Sequence, residues 1–283
     1  MITEKRFSLA LKNSAARVGK VGIVLISAQL CLTSCSKEDD ESHILSSYPS
    51  DLISTPIVTS DFSSAVAESQ TPIDIITSNL IPFKSNDPNI HYGAITLNSV
   101  ANNEGENLRV NVSGADSFNN YITVGGKQYN LVNFHFHYSS EHTINGAYSK
   151  MEIHFVNRSL DNSYAVLGVL VDSGNGNPGL QDLFNQSPTT PNAINSPNTT
   201  LDLSTLFPSN SKEYYTYSGS LTTPNFGANS SATDGGPVTW FVFKDKQQIS
   251  DAEFSTYTSV YAEPNFRTTR PLNGRKVYVD ISK

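Results

Sequence analysis

The chain has 283 residues, 16% of them charged and 37% hydrophobic, with a formal net charge of −7. That balance excludes a disordered or wholly membrane-embedded chain and fits a soluble, β-rich body with its own core. No basic patch stands out to neutralise phosphates, so nucleic acid is not an expected partner.

The first segment is not part of that body. Residues 1–20 carry Lys5, Arg6, Lys12, Arg17 and Lys20 against Glu4 alone, and the apolar run VGIVLISAQLCLTS follows. A positive flank and a short apolar run read as an export signal. Its ending, LTSC, resembles a bacterial lipobox. The expectation is a lipoprotein signal peptide over 1–34, with Cys35 lipidated and anchoring the protein at an outer membrane, facing the periplasm or the cell surface. An ordinary signal peptide with an incidental cysteine is the alternative. Loss of five cations and one anion would move the charge from −7 to −11. With Cys31 removed and Cys35 carrying lipid, no disulfide is left, and stability must come from the core, or from the core together with a metal. Residues 35–68 open with SKEDDES and continue rich in Ser, Thr and Pro, the composition of a solvated tether.

From SQTPIDI (69–75) onward the pattern becomes short apolar alternations broken by Gly, Asn and Pro. Period-two spacing predicts strands over Leu108–Val112, Tyr129–Tyr138, Lys150–Asn157, Tyr164–Val171, Val238–Lys244 and Lys276–Ile281. Helical signals lie at Gly179–Asn185 and after Ser250, where Ser-Asp-Ala-Glu is an N-cap signature. One mainly β (α+β) domain over 69–283 follows, since no repeat or second shift in composition appears.

The stretch NFHFHYSSEH (133–142) holds three of the six histidines, and His154 follows in KMEIHFVN. Residues two apart on a strand share a face. Asn133, His135 and His137 therefore oppose Phe134, Phe136 and Tyr138, and Glu152, His154 and Val156 oppose Met151, Ile153 and Phe155. If the two strands pair antiparallel, three imidazoles converge with an amide and a carboxylate beside them. Three histidines with one open position suit catalytic zinc. A hydrogen-bonded histidine pair without metal is the plain alternative. Spacing alone names no reaction.

Here the sequence resembles the α-class carbonic anhydrases across nearly the whole domain. FHFHYSSEHTINGAYSKMEIHFVN is similar to that family's zinc segment and SQTPIDI to its early motif. YTYSGSLTTP (215–224) is similar to its gatekeeper loop, VTWFVF (238–243) to its late strand and NFRTTRPLNGR (265–275) to its C-terminal basic segment. The resemblance implies a large, twisted, mostly antiparallel sheet with a few short helices, binding Zn2+ and interconverting carbon dioxide and bicarbonate. It implies His135, His137 and His154 as zinc ligands, Asn133 and Glu152 as their supports, and His142 as a structural neighbour. Thr222 takes the gatekeeper position and Glu141 that of the acid receiving its proton, so that hydroxide on zinc is oriented at the substrate. Tyr217 matches the network behind the threonine. Val156, Val166, Leu221, Thr223, Val238 and Trp240 match the substrate pocket.

Three departures from the family pattern stand out. The position of a proton-shuttling histidine falls in NNEGENLRV (102–110) and is filled by Glu106, with His91 as a second candidate. An ordinary carboxylic acid, with a pKa of about 4.3, takes a proton from a donor near neutrality only uphill, by roughly 4 kcal/mol. The family's N-terminal Trp- and Tyr-bearing segment is missing, and the gatekeeper loop runs on as PNFGANSSATDGGP. A catalytically silent binding or adhesion module is therefore a second functional expectation, and a zinc esterase a third.

Overall fold

In the computed structural model residues 69–222 and 237–282 are described, all within one compact unit that spans 49–283. The signal, the tether, Cys35, Thr223 and most of the long loop that follows lie outside the described residues.

A thirteen-stranded mixed sheet organises the domain. Its main path runs Ile194–Asn195, Val100–Asn103, Asn107–Asn111, Lys127–His137, Met151–Arg158, Tyr164–Ser173, Val238–Phe243, Tyr214–Gly219, Tyr278–Asp280 and Ile81–Phe83. Neighbours pair antiparallel except where Tyr164–Ser173 meets Val238–Phe243 and Gln247–Ile249, and where Tyr278–Asp280 meets Ile81–Phe83. The six expected strands all form, within two residues at each end. One helix spans Pro178–Asn185, capped by the Asn177 side chain. Another spans Asp251–Thr258, where Ser250 and Glu253 complete the capping box that Ser-Asp-Ala-Glu predicts. Tyr214–Gly219, matched at first to a loop motif, is a strand for most of its length, and Tyr215 and Tyr217 alternate with Tyr214 in the manner of one.

Alternation sorts the central strands into two faces. Phe134, Phe136, Ile153, Phe155, Leu167 and Phe241 belong to the main core, covered by Leu180, Leu183 and Phe184 of the Pro178–Asn185 helix. Val156, Val166, Leu170, Val238, Trp240 and Val242 form a second apolar cluster, with Ile73, Ile75 and Tyr217. The Lys127–His137 strand keeps Tyr129 and Leu131 as well as Phe134 and Phe136 on the core side. That is possible because its register slips by one residue, Val156 pairing with Asn133 and Asn157 with Leu131. A bulge of this kind re-aims every later side chain. It turns Asn133, His135 and His137 away from the core together.

Candidate metal centre

His154 pairs in register with His135, and Glu152 with His137, across antiparallel strands. The three imidazoles of His135, His137 and His154 each offer one nitrogen within 4.8 Å of the others. Their outward nitrogens are each fixed by an oxygen. Asn133 Oδ1 lies 3.0 Å from His135 Nδ1, the Asn265 carbonyl 2.9 Å from His137 Nδ1, and Glu152 Oε1 2.8 Å from His154 Nε2. A carbonyl or carboxylate oxygen only accepts, so each of those nitrogens must carry the hydrogen. The lone pairs on His135 Nε2, His137 Nε2 and His154 Nδ1 are thereby left facing inward. Burial first, then the other two imidazoles and Arg109, hold His135 well below the ordinary histidine range. Burial also lowers His154, against the pull of Glu152. Neutral imidazoles are what a divalent metal needs.

His137 Nε2 is buried with no hydrogen-bond partner. An orphaned buried acceptor costs about 1–3 kcal/mol, and a metal is the partner that this geometry fits. Three imidazole nitrogens turned onto one point match the protein ligands of catalytic zinc.

Glu152, 0% exposed, organises the surroundings. Its Oε2 accepts the backbone N–H groups of Glu141 and His142, both at 2.8 Å. Its Oε1 accepts from His142 Nδ1 at 2.7 Å and His154 Nε2 at 2.8 Å. Burial alone would raise its pKa, but its interactions with the His142 and His154 rings, both hydrogen-bonded to it, hold it well below the usual carboxylate range. His142 Nε2 in turn meets the Tyr217 hydroxyl at 2.7 Å, and Tyr217 meets Thr71 Oγ1 at 3.2 Å. Burial keeps the Tyr217 phenol well above its ordinary pKa, so it remains protonated. His142 is thus a buried link between Glu152 and Tyr217, not a member of the inward-facing triad.

Glu141 is buried, with Oε1 accepting from Arg267 N–H at 2.8 Å. Its Oε2 has no hydrogen-bond partner and lies 3.5 Å from His137 Nε2 and 3.8 Å from His154 Nδ1. Thr222 is buried too, but among the described residues no hydrogen bond joins it to Glu141. The Tyr217 chain instead passes through Thr71 to the Ser220 N–H, 3.0 Å away.

On one flank of the triad lies the second apolar cluster. Val156 pairs with Val166 and Val166 with Trp240, and the Trp240 ring stands 4.9 Å from that of His154. Val238 belongs to the same cluster and Leu221 packs against it. The other flank is the Asn107–Asn111 strand, with Arg109 opposite His135. Glu106 sits exposed in the turn that precedes this strand.

His91 is misplaced for proton transfer. It stacks on Tyr121 with ring centroids 4.5 Å apart, and Tyr121 pairs with Asn130. Asn130 lies five residues along the strand from His135, about 17 Å at the usual rise, and His91 is two strands farther out.

Asn265 and Gly168 were missed by the sequence reading. Asn265 grips the histidine strand with its side chain, accepting from Tyr138 N–H at 2.7 Å and donating to the Phe136 carbonyl at 3.1 Å, while its own carbonyl fixes His137. Gly168 pairs with His154, and a Cβ there would come within 3.0 Å of Glu152 Oε1. A bare backbone at 168 makes room for that carboxylate. No local pattern signals either role.

A mixed sheet whose two neighbouring strands turn three imidazoles onto one point, beside an apolar wall, defines a single-metal enzyme of the carbonic anhydrase type. Over residues 58–281 the chain matches the family described as eukaryotic-type carbonic anhydrase, and it belongs to that family of zinc enzymes. It is 37% identical over 175 residues to a carbonic anhydrase of Neisseria gonorrhoeae, covering 62% of this chain and 64% of that one. It is 30% identical over 218 residues to a carbonic anhydrase of Nostoc, covering 75% and 76%. The α-carbonic anhydrase of Thermovibrio ammonificans, solved with the inhibitor sulfanilamide, superposes with a TM-score of 0.65 at 33% identity. That likeness covers 75% of this chain and 88% of the other.

Proposed function

We propose that this protein is an exported zinc enzyme that interconverts carbon dioxide and bicarbonate. The observation that carries this reading is the triad: three imidazole lone pairs turned onto one point beside an apolar wall. Zinc, when bound there, supplies a Lewis acid that brings the pKa of water to about 7, a value known for carbonic anhydrases rather than one that this chain reveals.

The chain's own residues do the rest. His135 and His137 would hold the metal through Nε2 and His154 through Nδ1. Val156, Val166, Leu221, Val238 and Trp240 suit a substrate that has no charge to grip. For hydration, Thr222 would turn its hydroxyl hydrogen onto Glu141, a bond that the structure does not show, and would then accept a hydrogen from the nucleophile and orient it toward the substrate carbon. Glu141 suits this role, since Oε1 is already held by Arg267 and Oε2 is without a donor. The released proton leaves by way of Glu106 or of buffer.

Zinc analysis and stopped-flow hydration on the purified protein test the proposal together. Stoichiometric zinc with hydration above the uncatalysed rate, accelerated by imidazole, is expected. Bound zinc without hydration in any of several buffers would refute the activity, and indifference to imidazole would refute the slow proton exit. Export and anchoring rest on the charge pattern and LTSC ending of residues 1–35. Cys35→Ala is expected to shift the protein from the membrane fraction to the soluble fraction, and unchanged partition would reject the anchor.

A further inference from the structure

Four large hydrophobic side chains are exposed among the described residues. Two of them, Phe118 at 68% and Leu160 at 97%, line one cleft together with Lys127 and Asp161. Leu160 sits in the turn that joins Met151–Arg158 to Tyr164–Ser173, and Phe118 on the short helix Gly114–Asn119. The two elements are neighbours because Asn130 pairs with Arg158, while the carbonyl of Leu131 accepts from Ser117 Oγ at 2.6 Å. The turn itself is made by Asn162, with a left-handed φ of 67°, and by hydrogen bonds between Ser159 and Ser163. Nothing in it calls for a leucine. Single exposed apolar residues are ordinary, but two on one cleft mark an interaction surface.

The chain enters the described domain at this same end of the sheet. Thr71, two residues after Ser69, lies against Gly219 and donates its N–H to Ser220 Oγ at 3.1 Å. Gly219 pairs with Val238, and Val238 with Tyr164. Two strand spacings, about 10 Å, therefore separate Gly219 from the residue that closes the Leu160 turn. Residues 36–68 lead back from Ser69 to Cys35. We infer that Phe118 and Leu160 seat the domain on the phospholipid surface to which a lipid on Cys35 ties it. The inference rests on the anchor proposed above. An anchor makes docking intramolecular, so a contact too weak to hold a free protein is enough to orient an anchored one. Lipid tails would take both side chains out of water. The cations alongside suit headgroups: Arg158 is exposed, and Lys127, paired with Asp161 at 2.6 Å, cancels the one nearby anion on the cleft. Long cationic side chains keep their stems in an apolar interface while their charged ends reach phosphate. The domain would then stand with this end of its sheet on the bilayer.

Trp240, the one tryptophan of the chain, is buried, so a tryptophan placed on the surface is a clean reporter. Leu160→Trp, Phe118→Trp and a control, Ile194→Trp, are made in the full chain with Cys31→Ser. Cys35, then the only cysteine, is coupled to a maleimide-bearing lipid in phosphatidylcholine vesicles whose brominated acyl chains quench tryptophan. Ile194 is 62% exposed but lies at the far edge of the sheet. Strong quenching is expected for Leu160→Trp and Phe118→Trp, and little for Ile194→Trp. Adding Leu160→Ser to Phe118→Trp is expected to lower the ratio of docked to undocked protein about tenfold, the factor for roughly half of a leucine's burial. Equal quenching of all three reporters, or none for Leu160→Trp and Phe118→Trp, would overturn the inference. So would a dimer of the free protein that Leu160→Ser abolishes, which would give the patch to a second copy. Membrane partition of the unmodified chain beside Cys35→Ala tests the anchor itself. The coupled protein tests docking whether or not a cell adds the lipid.

Discussion

Replacing His154 by alanine is expected to abolish stoichiometric zinc binding and to bring hydration to the uncatalysed rate. The apparent binding free energy of zinc at a protein site is about 10–16 kcal/mol. Removing one of three protein ligands forfeits about a third of it, or two to four powers of ten in affinity. His135→Ala removes the same share, but the two variants should differ in stability. His154 is buried and donates to the equally buried Glu152 at 2.8 Å. Its loss leaves a carboxylate oxygen short of a donor and opens a void beside Trp240, together about 2–5 kcal/mol. His135 is less deeply buried than His154 and hydrogen-bonds Asn133, a neutral amide. Thermal unfolding of the metal-free proteins checks this. A midpoint near that of the parent is expected for His135→Ala and a clearly lower one for His154→Ala. Equal midpoints would show that Glu152 does not depend on His154.

What the sequence made legible here is local. Period-two alternation is a property of a single strand, so the shared face of Asn133, His135 and His137 could be read from ten residues. The convergence with His154 needed only one further assumption, the antiparallel pairing that the structure supplies. The bulge next to Asn133 left no mark in composition. Read as an unbroken alternation back to Tyr129, the strand would have put Tyr129 and Leu131 on the histidine face. Asn265 lies 128 residues from the histidine that it fixes, and nothing in NFRTTRPLNGR announces a carbonyl in the right place. Gly168 escaped for a related reason, since its meaning comes from the residue across the strand pair. The fold class followed from the motifs and their order. The polar flank required the register.

Replacing Glu152 by glutamine is expected to damage zinc binding and stability at once, by a route that runs through histidine tautomers. Glu152 accepts four hydrogen bonds and donates none. A glutamine can keep its oxygen on the N–H groups of Glu141 and His142, but then its amide hydrogens face His142 Nδ1 and His154 Nε2. Two donors cannot meet, so each imidazole must shift its hydrogen to the far nitrogen or lose the bond. For His154 the far nitrogen is Nδ1, the one whose lone pair faces the metal. Supporting residues of this kind are worth about 10–100-fold in metal affinity, and breaking one partner out of a buried charged network costs about 3–5 kcal/mol. For a domain of this size that corresponds to a fall of about 6–20 °C in the unfolding midpoint. The deficit should depend on pH with a definite sign. Because the native pKa of Glu152 is depressed, its stabilisation is present in full above the carboxylate value of the unfolded chain. It is lost as pH falls through the native value. The gap between parent and Glu152→Gln is therefore expected to be widest near neutrality and to close in acid. A variant that binds zinc as tightly as the parent, or a gap independent of pH, would mean that Glu152 neither fixes the His154 tautomer nor carries its charge in the native state.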